Sequence, residues 1–497
     1  MVDPRSPVVV GVGQTSQRTA AEDAAPPIEL FADAARAAEA DAGVALLAKV
    51  DIVGVVRIVS WPYPDPGAYA SRLLGIEPRT TMTTTVGGNS PQLMVDELGT
   101  RIQARECDVV LIGGAESMYA RWRARREPKV HLDWDNGGDE TCAWVIGDDR
   151  PGSSAYEMAH GAVAPTLVYP LFETALRAEA GRSIDEHQRH VSELWSGFAA
   201  VAADNPHAWS RTAYTPEQIR TVTPDNRMVC FPYPKLMCSN IDVDQGAALI
   251  MCSYEAAQAA GVADDRMVFL HASAQANDHW FPSERASLTR SPGIEAVARD
   301  ALTAAGISVD DVAYFDLYSC FPAAVQIAQR EIGINDGRAL TVGGGLGFAG
   351  GPVNNYPTHA IAQMVEVLRT QPESIGLTTA LGWYVTKHAA GVWSAQPPTA
   401  GFRRVPHAET QARVDAQPKR DTAGLVAGEV EIEATSVVVE RDGTPAMSIV
   451  TALTPDGQRA LASTREPDIG TALTEEAWEG RTVKFTNDGS TNTIALS

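Results

Sequence analysis

The chain has 497 residues, more than one ordinary hydrophobic core holds, so two to four domains are expected. It is 44% hydrophobic and 21% charged, with a formal net charge of −22. That balance belongs to a globular protein in water and argues against nucleic acid or an anionic membrane as a main partner. The N-terminal MVDPRSPVVVGVGQ has no signal-peptide layout. No apolar run approaches the roughly 18 residues of a membrane span. Cys107, Cys142, Cys230, Cys238, Cys252 and Cys320 form no CxxC pair. A reduced cytoplasmic protein follows, with no metal site and no cofactor expected.

In chain order, PVVVGVGQ (7–14) reads as a buried strand, followed by a helix over FADAARAAEADAG. DIVGVVRIVS (51–60) is a second strand. PQLMVDELGTRIQARE (91–106) is a helix that leads into a third strand, CDVVLIGGAES (107–117). DVAYFDLYSCF (311–321), helix 322–333, helix 358–370 and ESIGLTTALG (373–382) repeat the alternation, which implies an α/β sandwich. Residues 120–290, rich in Pro, Trp and His, read as an excursion that forms a lid or substrate-binding region. After the Pro-rich 396–406, period-2 alternation takes over, and Asp442-Gly443 and Asp456-Gly457 are hairpin signals. A small antiparallel β-barrel over about 405–497 is expected.

Thr85-Val86-Gly87-Gly88 recurs as Thr341-Val342-Gly343-Gly344, and each copy leads to a helix and then a buried strand. The order of elements points to an internal duplication. The second copy opens TVGGGLGFAGGP (341–352), six glycines in twelve residues, which lets backbone approach a ligand and offers it main-chain N–H groups.

Several motifs have two readings. Gly11-x-Gly13 lacks the third glycine of a dinucleotide fingerprint and reads as a structural turn. Asn89 or Ser90 should cap the helix that Pro91 begins, and Ser90 has no neighbouring base. Arg121, Arg123, Arg125, Arg126 and Lys129 form either a phosphate grip or a solvated face. His187 and His190, with no third ligand, read as surface histidines. Tyr318 and Cys320 sit at a strand-to-helix turn, where α/β folds collect chemistry. Lys387 and His388 lie in what reads as a loop after the last core strand, suited to acid–base work or to fixing that loop.

These elements, in this order, resemble the thiolase superfamily over about residues 5–395. Gly113-Gly114-Ala115-Glu116-Ser117-Met118 matches the family's GG-x-E-S-M, and the Cys-Phe of Tyr318-Ser319-Cys320-Phe321 points to the sterol-carrier-protein-thiolase branch. With the added C-terminal β-domain, the pattern looks like thiolase-like protein type 1. The resemblance implies a duplicated thiolase fold with α-β-α-β-α layers. Its N-terminal half would span 1–290 with a loop insert at about 120–250. The C-terminal half would span 291–400, and an oligonucleotide-binding-like barrel 405–497. It also places the family's nucleophilic Cys at Gly88, its catalytic His at Gly351 in Gly350-Gly351-Pro352, and its second Cys at Leu381 or Gly382.

Thiolytic cleavage needs a thiolate to carry the acyl group, a base, and an acid–base Cys, and losing one member of such a unit removes most of the rate. The resemblance therefore implies a protein of acyl-CoA and lipid metabolism, an acyltransferase-superfamily member without thiolase turnover. Ser90, Arg121, Arg123, Gly344, Gly350 and Gly351 are its candidate contacts to a CoA thioester. One alternative is an aldolase-type lyase using Tyr318 and Tyr356 as acid–base groups with His388 assisting. Others are an acyltransferase with Ser90 or Cys320 as nucleophile, and a non-catalytic interaction protein. The sequence leaves monomer and homodimer open.

Overall fold

A computed structural model describes residues 2–127 and 129–496. Among these, eleven strands form one sheet built from two halves of the same design. In the first half Ile52–Val55 pairs parallel with Val109–Ser117. That strand runs antiparallel to Asp244–Ser253, which runs antiparallel to Pro7–Ser16. In the second half Tyr314–Asp316 pairs parallel with Ile375–Gly382. That strand runs antiparallel to Lys387–Ser394, which runs antiparallel to Val268–Asn277. The halves join where Val8 and Val9 meet Phe269 and Val268. The repeated pairing order is the structural counterpart of the echoed Thr-Val-Gly-Gly.

Helix Pro27–Ala42 covers the first half and helix Pro292–Ala305 the second. Helices Ser90–Gln103 and Tyr356–Thr370 touch each other and strands of both halves, so helices and sheet alternate in five layers. Met94, Leu98, Ile361 and Met364 fill the middle with Leu249 and Leu270. Gly11 and Gly13 are what let helix Pro27–Ala42 come so close. A Cβ at either would stand 2.1 Å and 2.0 Å from the carbonyl oxygens of Ala38 and Ala34. The Gly-x-Gly is a helix-packing device inside a strand.

Two readings of the sequence change here. The stretch 120–290 is not all excursion, because Asp244–Ser253 and Val268–Asn277 are central strands. Lys387 and His388 are not in a loop either; they open the buried strand Lys387–Ser394. The remaining insert carries helices Pro165–Glu179 and Ile184–Asp204. His187, read as a surface residue, is buried there with its Nε2 2.6 Å from Glu173 Oε1. At the far edge of the sheet, Val145–Ile146 of the same chain pairs with Thr80–Thr84 and covers it.

The C-terminal strands run Arg459–Thr464, Pro445–Leu453, Gly428–Val439, Thr482–Asn487, Asn492–Ala495, all antiparallel. The expected barrel does not close. The backbone of 421–423 takes up the edge at Arg459, and the Asn492 side chain bridges the gap by donating to the carbonyls of Leu461 and Gly424, both at 2.8 Å. Gly428–Val439 also pairs with Met228–Phe231 of the insert, so this sheet is built into the body of the protein. Among the described residues no helix is long and apolar enough to cross a membrane.

Gly13→Ala is expected to cost about 1–3 kcal/mol, because its neighbours are backbone atoms that cannot turn aside. Urea unfolding measures this, and a loss below about 0.5 kcal/mol would show that the helix–strand contact is not tight.

Candidate functional site

Strand Thr80–Thr84 ends in Thr85-Val86-Gly87-Gly88, which turns into helix Ser90–Gln103. Gly87 N donates to Asn354 Oδ1 at 2.9 Å, and Asn354 Nδ2 donates to the Arg57 carbonyl at 2.8 Å. One asparagine thus ties the first half's glycine loop to the segment that follows the second half's. Beside it opens a cleft of about 480 Å³. Its walls are Tyr169, Phe321, Trp383 and Tyr384, with Val86, Val163 and Ile241 exposed among its lining. Among the described residues, no acidic or basic side chain lines it.

Gly88 lies in the floor, and the space above it is taken. A Cβ at 88 would stand 2.2 Å from the Tyr318 hydroxyl and 2.3 Å from the Leu381 carbonyl oxygen. No side chain fits there unless the end of strand Ile375–Gly382 moves. Gly351, also in the lining, is roomier, with the nearest atom to an added Cβ at 3.3 Å. Tyr318 accepts no charge easily, since burial pushes its hydroxyl well above the usual tyrosine range. It is a hydrogen-bond donor at neutral pH. Cys320 also lines the cleft, but burial pushes its thiol up to about 12, and an un-ionised thiol is a poor nucleophile.

The other candidates are placed apart from the cleft. Tyr356 is buried edge-on beneath Tyr318, ring centroids 5.8 Å apart, and its hydroxyl donates to Asp316 Oδ1 at 3.0 Å. Asp316 Oδ2 collects Thr341 Oγ1, Val342 N and Gly343 N. The glycine run therefore spends these N–H groups inside the protein rather than offering them to a ligand. Gly344 faces the backbone of Ala202, and Gly350 faces the Gln245 side chain. Ser90 is buried, its hydroxyl donating to the Thr85 carbonyl at 3.0 Å. Arg121 reaches the Val59 carbonyl, and Arg123 pairs with Glu127 at 3.0 Å on a short helix, Met118–Ala124. His388 Nε2 stands 3.1 Å from Asp278 Oδ2 and lines a separate polar cavity of about 220 Å³ with Lys387, Asn89 and His407.

Lys387 Nζ donates to the carbonyls of Val86 (2.7 Å) and Asp148 (2.6 Å), fixing the glycine loop from behind. Burial lowers its ammonium to about 8. Among the described residues four non-glycine residues have positive φ; Val353 (44°) and Trp383 (57°) line the cleft, and Val385 (54°) follows the lining residue Tyr384. Such conformations cost on the order of 1–3 kcal/mol each and persist where the surroundings impose them. The sequence had singled out the Trp383–His388 segment but not Tyr169 or Val163. No local pattern sets those two apart from core residues.

The final segment, residues 409–490, matches the family model described as the thiolase-like protein type 1 additional C-terminal domain. The whole chain superposes on the crystal structure of a monomeric SCP2-thiolase-like protein type 1 from Mycobacterium smegmatis. The two are 34% identical, with all of both chains covered and a TM-score of 0.86. The chain belongs to the SCP2-thiolase-like protein type 1 family. An Ltp2–ChsH2(DUF35) aldolase shares the thiolase part of the fold, at 19% identity over 79% of this chain and 98% of that one, with a TM-score of 0.59. An acetyl-CoA acetyltransferase of Methanocaldococcus jannaschii is 26% identical over 260 residues, 52% of this chain and 58% of that protein. The chain spans about half the length of the curated relatives it matches.

Gly88→Ala is expected to destabilise by about 1–3 kcal/mol, and Tyr318→Phe to rescue it only in part, because the Leu381 carbonyl stays in place. Chemical unfolding of the single and double variants measures this; full rescue would show that the hydroxyl alone is in the way. Lys387 is lower in the folded state, about 8, than its ordinary 10.5. Its favourable contribution is therefore complete above about 10.5 and is lost as pH falls through about 8. Unfolding free energy should rise more steeply over that window in the native chain than in Lys387→Met. Parallel curves would contradict the shift.

Proposed function

We propose that this protein binds an acyl-CoA or related thioester in the cleft above Gly88 and does not perform thiolytic cleavage. The observation that carries this is the filled space at Gly88. The family resemblance puts the nucleophile at that position, and here a backbone carbonyl and a tyrosine hydroxyl occupy the volume a side chain would need. A covalent acyl intermediate has no carrier there. Cys320 is un-ionised and Ser90 is turned into the helix start, so neither replaces it.

The chemistry of the lining also orients the ligand. With no cation in the cleft, the nucleotide and its phosphates stay outside, and the acyl end enters among the aromatic walls. The Tyr318 hydroxyl is the donor positioned for the thioester carbonyl. Carbon–carbon cleavage of the aldolase type needs a base as well as such an acid. The lining supplies the acid alone, which favours binding over lyase chemistry. The covered edge at Thr80–Thr84 supports a monomer.

Incubation with acetoacetyl-CoA and CoA should yield no acetyl-CoA, and intact-mass spectrometry should show no acyl adduct. An adduct on Ser90 or Cys320 would overturn the non-covalent reading. Tyr318→Phe is expected to weaken thioester binding by about 0.5–1.5 kcal/mol, roughly two- to tenfold in Kd. An unchanged Kd would remove Tyr318 from the contact.

A further inference from the structure

The turn from Trp383 to Thr386 joins two central strands and carries Trp383 and Tyr384 into the cleft wall. Its backbone is held at positive φ at Trp383 and at the β-branched Val385, conformations that relax unless something restrains them. One buried guanidinium supplies two of the restraining bonds, beside the bond from Asp278 N to the Thr386 carbonyl (2.7 Å) and His388 Nε2 at 3.1 Å from the Val385 carbonyl. Arg285 Nη1 donates to the Tyr384 carbonyl at 2.8 Å, its Nη2 to Thr386 Oγ1 at 2.9 Å, and its Nε to the His279 carbonyl at 2.9 Å. Tyr169 adds a bond from its hydroxyl to the Trp383 carbonyl, also 2.9 Å.

Arg285 is itself held from the C-terminal part of the chain. Five consecutive carbonyls, 282 to 286, accept hydrogen bonds from just two arginines there. Arg459 Nη1 reaches Pro282 O (3.1 Å), Ser283 O (3.2 Å) and Arg285 O (2.5 Å). Arg420 gives its backbone N–H to Glu284 O (2.9 Å) and its Nη2 to Ala286 O (3.0 Å). Arg459 is fully buried and is neutralised by a two-pronged pair with Glu433, 2.6 Å on each prong. A guanidinium can satisfy a carboxylate with one side of its fork and carbonyls with the other; a lysine has one nitrogen and cannot span both.

We infer that the added C-terminal domain is the support for the ligand cleft. Arg459 and Arg420 are positioning residues that hold the 282–286 segment, so that Arg285 keeps the strained Trp383–Val385 turn in the cleft wall. Neither arginine lines the cleft. The inference rests on the reading of that cleft as the ligand site, and it gives the domain a role within one chain without requiring a docking partner.

Hydrogen exchange read by mass spectrometry on the full-length chain tests this directly, with Arg459→Lys and Arg420→Ala as variants. Both keep hydrogen-bonding capacity or an exposed neighbour, so the fold should persist. Amides of residues 384–388 are expected to exchange faster in both variants, more so in Arg459→Lys, while helix Ser90–Gln103 stays as protected as before. Octanoyl-CoA, used as the probe, should bind about tenfold more weakly to Arg459→Lys. Faster exchange confined to strands 428–495, with 384–388 unchanged, would overturn the inference and leave the arginines a purely local role. If octanoyl-CoA fails to bind the native chain, the ligand reading falls, and the exchange of 384–388 still decides whether the domain supports the turn. Should Arg459→Lys unfold, Arg420→Ala alone carries the decision on the same peptide.

Discussion

The central constraint is the closeness of three groups: the Cα of Gly88, the carbonyl of Leu381 and the hydroxyl of Tyr318. They come from the two halves of a duplicated fold, and they meet only because residue 88 has no side chain. A flexible neighbour can swing away from an added Cβ. A carbonyl in the ladder of a central strand cannot move without disturbing its hydrogen bonds. The position is therefore a sealed floor rather than a vacancy waiting for a nucleophile. Gly351, with looser surroundings, shows that the sealing is specific to one of the two positions.

Beside that floor stand two buried cations, Lys387 and Arg285, and the left-handed residues Val353 and Trp383. Lys387 fixes the first glycine loop from behind, Asn354 ties it to the second half, and Arg285 pins the Trp383–Thr386 turn. Buried charges and left-handed non-glycine residues are costly, and those beside the cleft persist because the packing around it holds them in one shape. The lining is mostly apolar, and the Tyr318 hydroxyl stands over the floor at Gly88. That is the kind of surface the proposed acyl-binding role calls for.

Much of the fold was legible in the sequence because the duplicated strands and helices carry strong apolar periodicity and the GGAESM segment is distinctive. Central strands Asp244–Ser253 and Val268–Asn277 escaped because the first is buried throughout and the second nearly so, yet both carry many small and polar residues, DQGAALIMCS and VFLHASAQAN. Period-2 alternation located the C-terminal sheet but carried no sign that the Asn492 side chain, rather than strand pairing, spans the gap between its edges. For the site, motif positions brought Tyr318, Cys320 and Gly351 to one cleft with Gly88. They did not bring Tyr356, His388, Ser90 or the Arg121–Arg123 run there. Whether a tyrosine at a strand end faces a cavity or a buried aspartate depends on long-range packing, as Tyr318 and Tyr356 show. The steric seal at Gly88 was beyond sequence altogether, since it depends on a carbonyl almost three hundred residues away.

Calorimetric injection of acetoacetyl-CoA into the full-length protein, with free CoA present, tests the non-thiolytic reading most directly, because heat reports binding and turnover together. Saturable heat that ends at one thioester per chain is the predicted result. A continuous heat signal that persists until the substrate is consumed, with acetyl-CoA recovered, would contradict it.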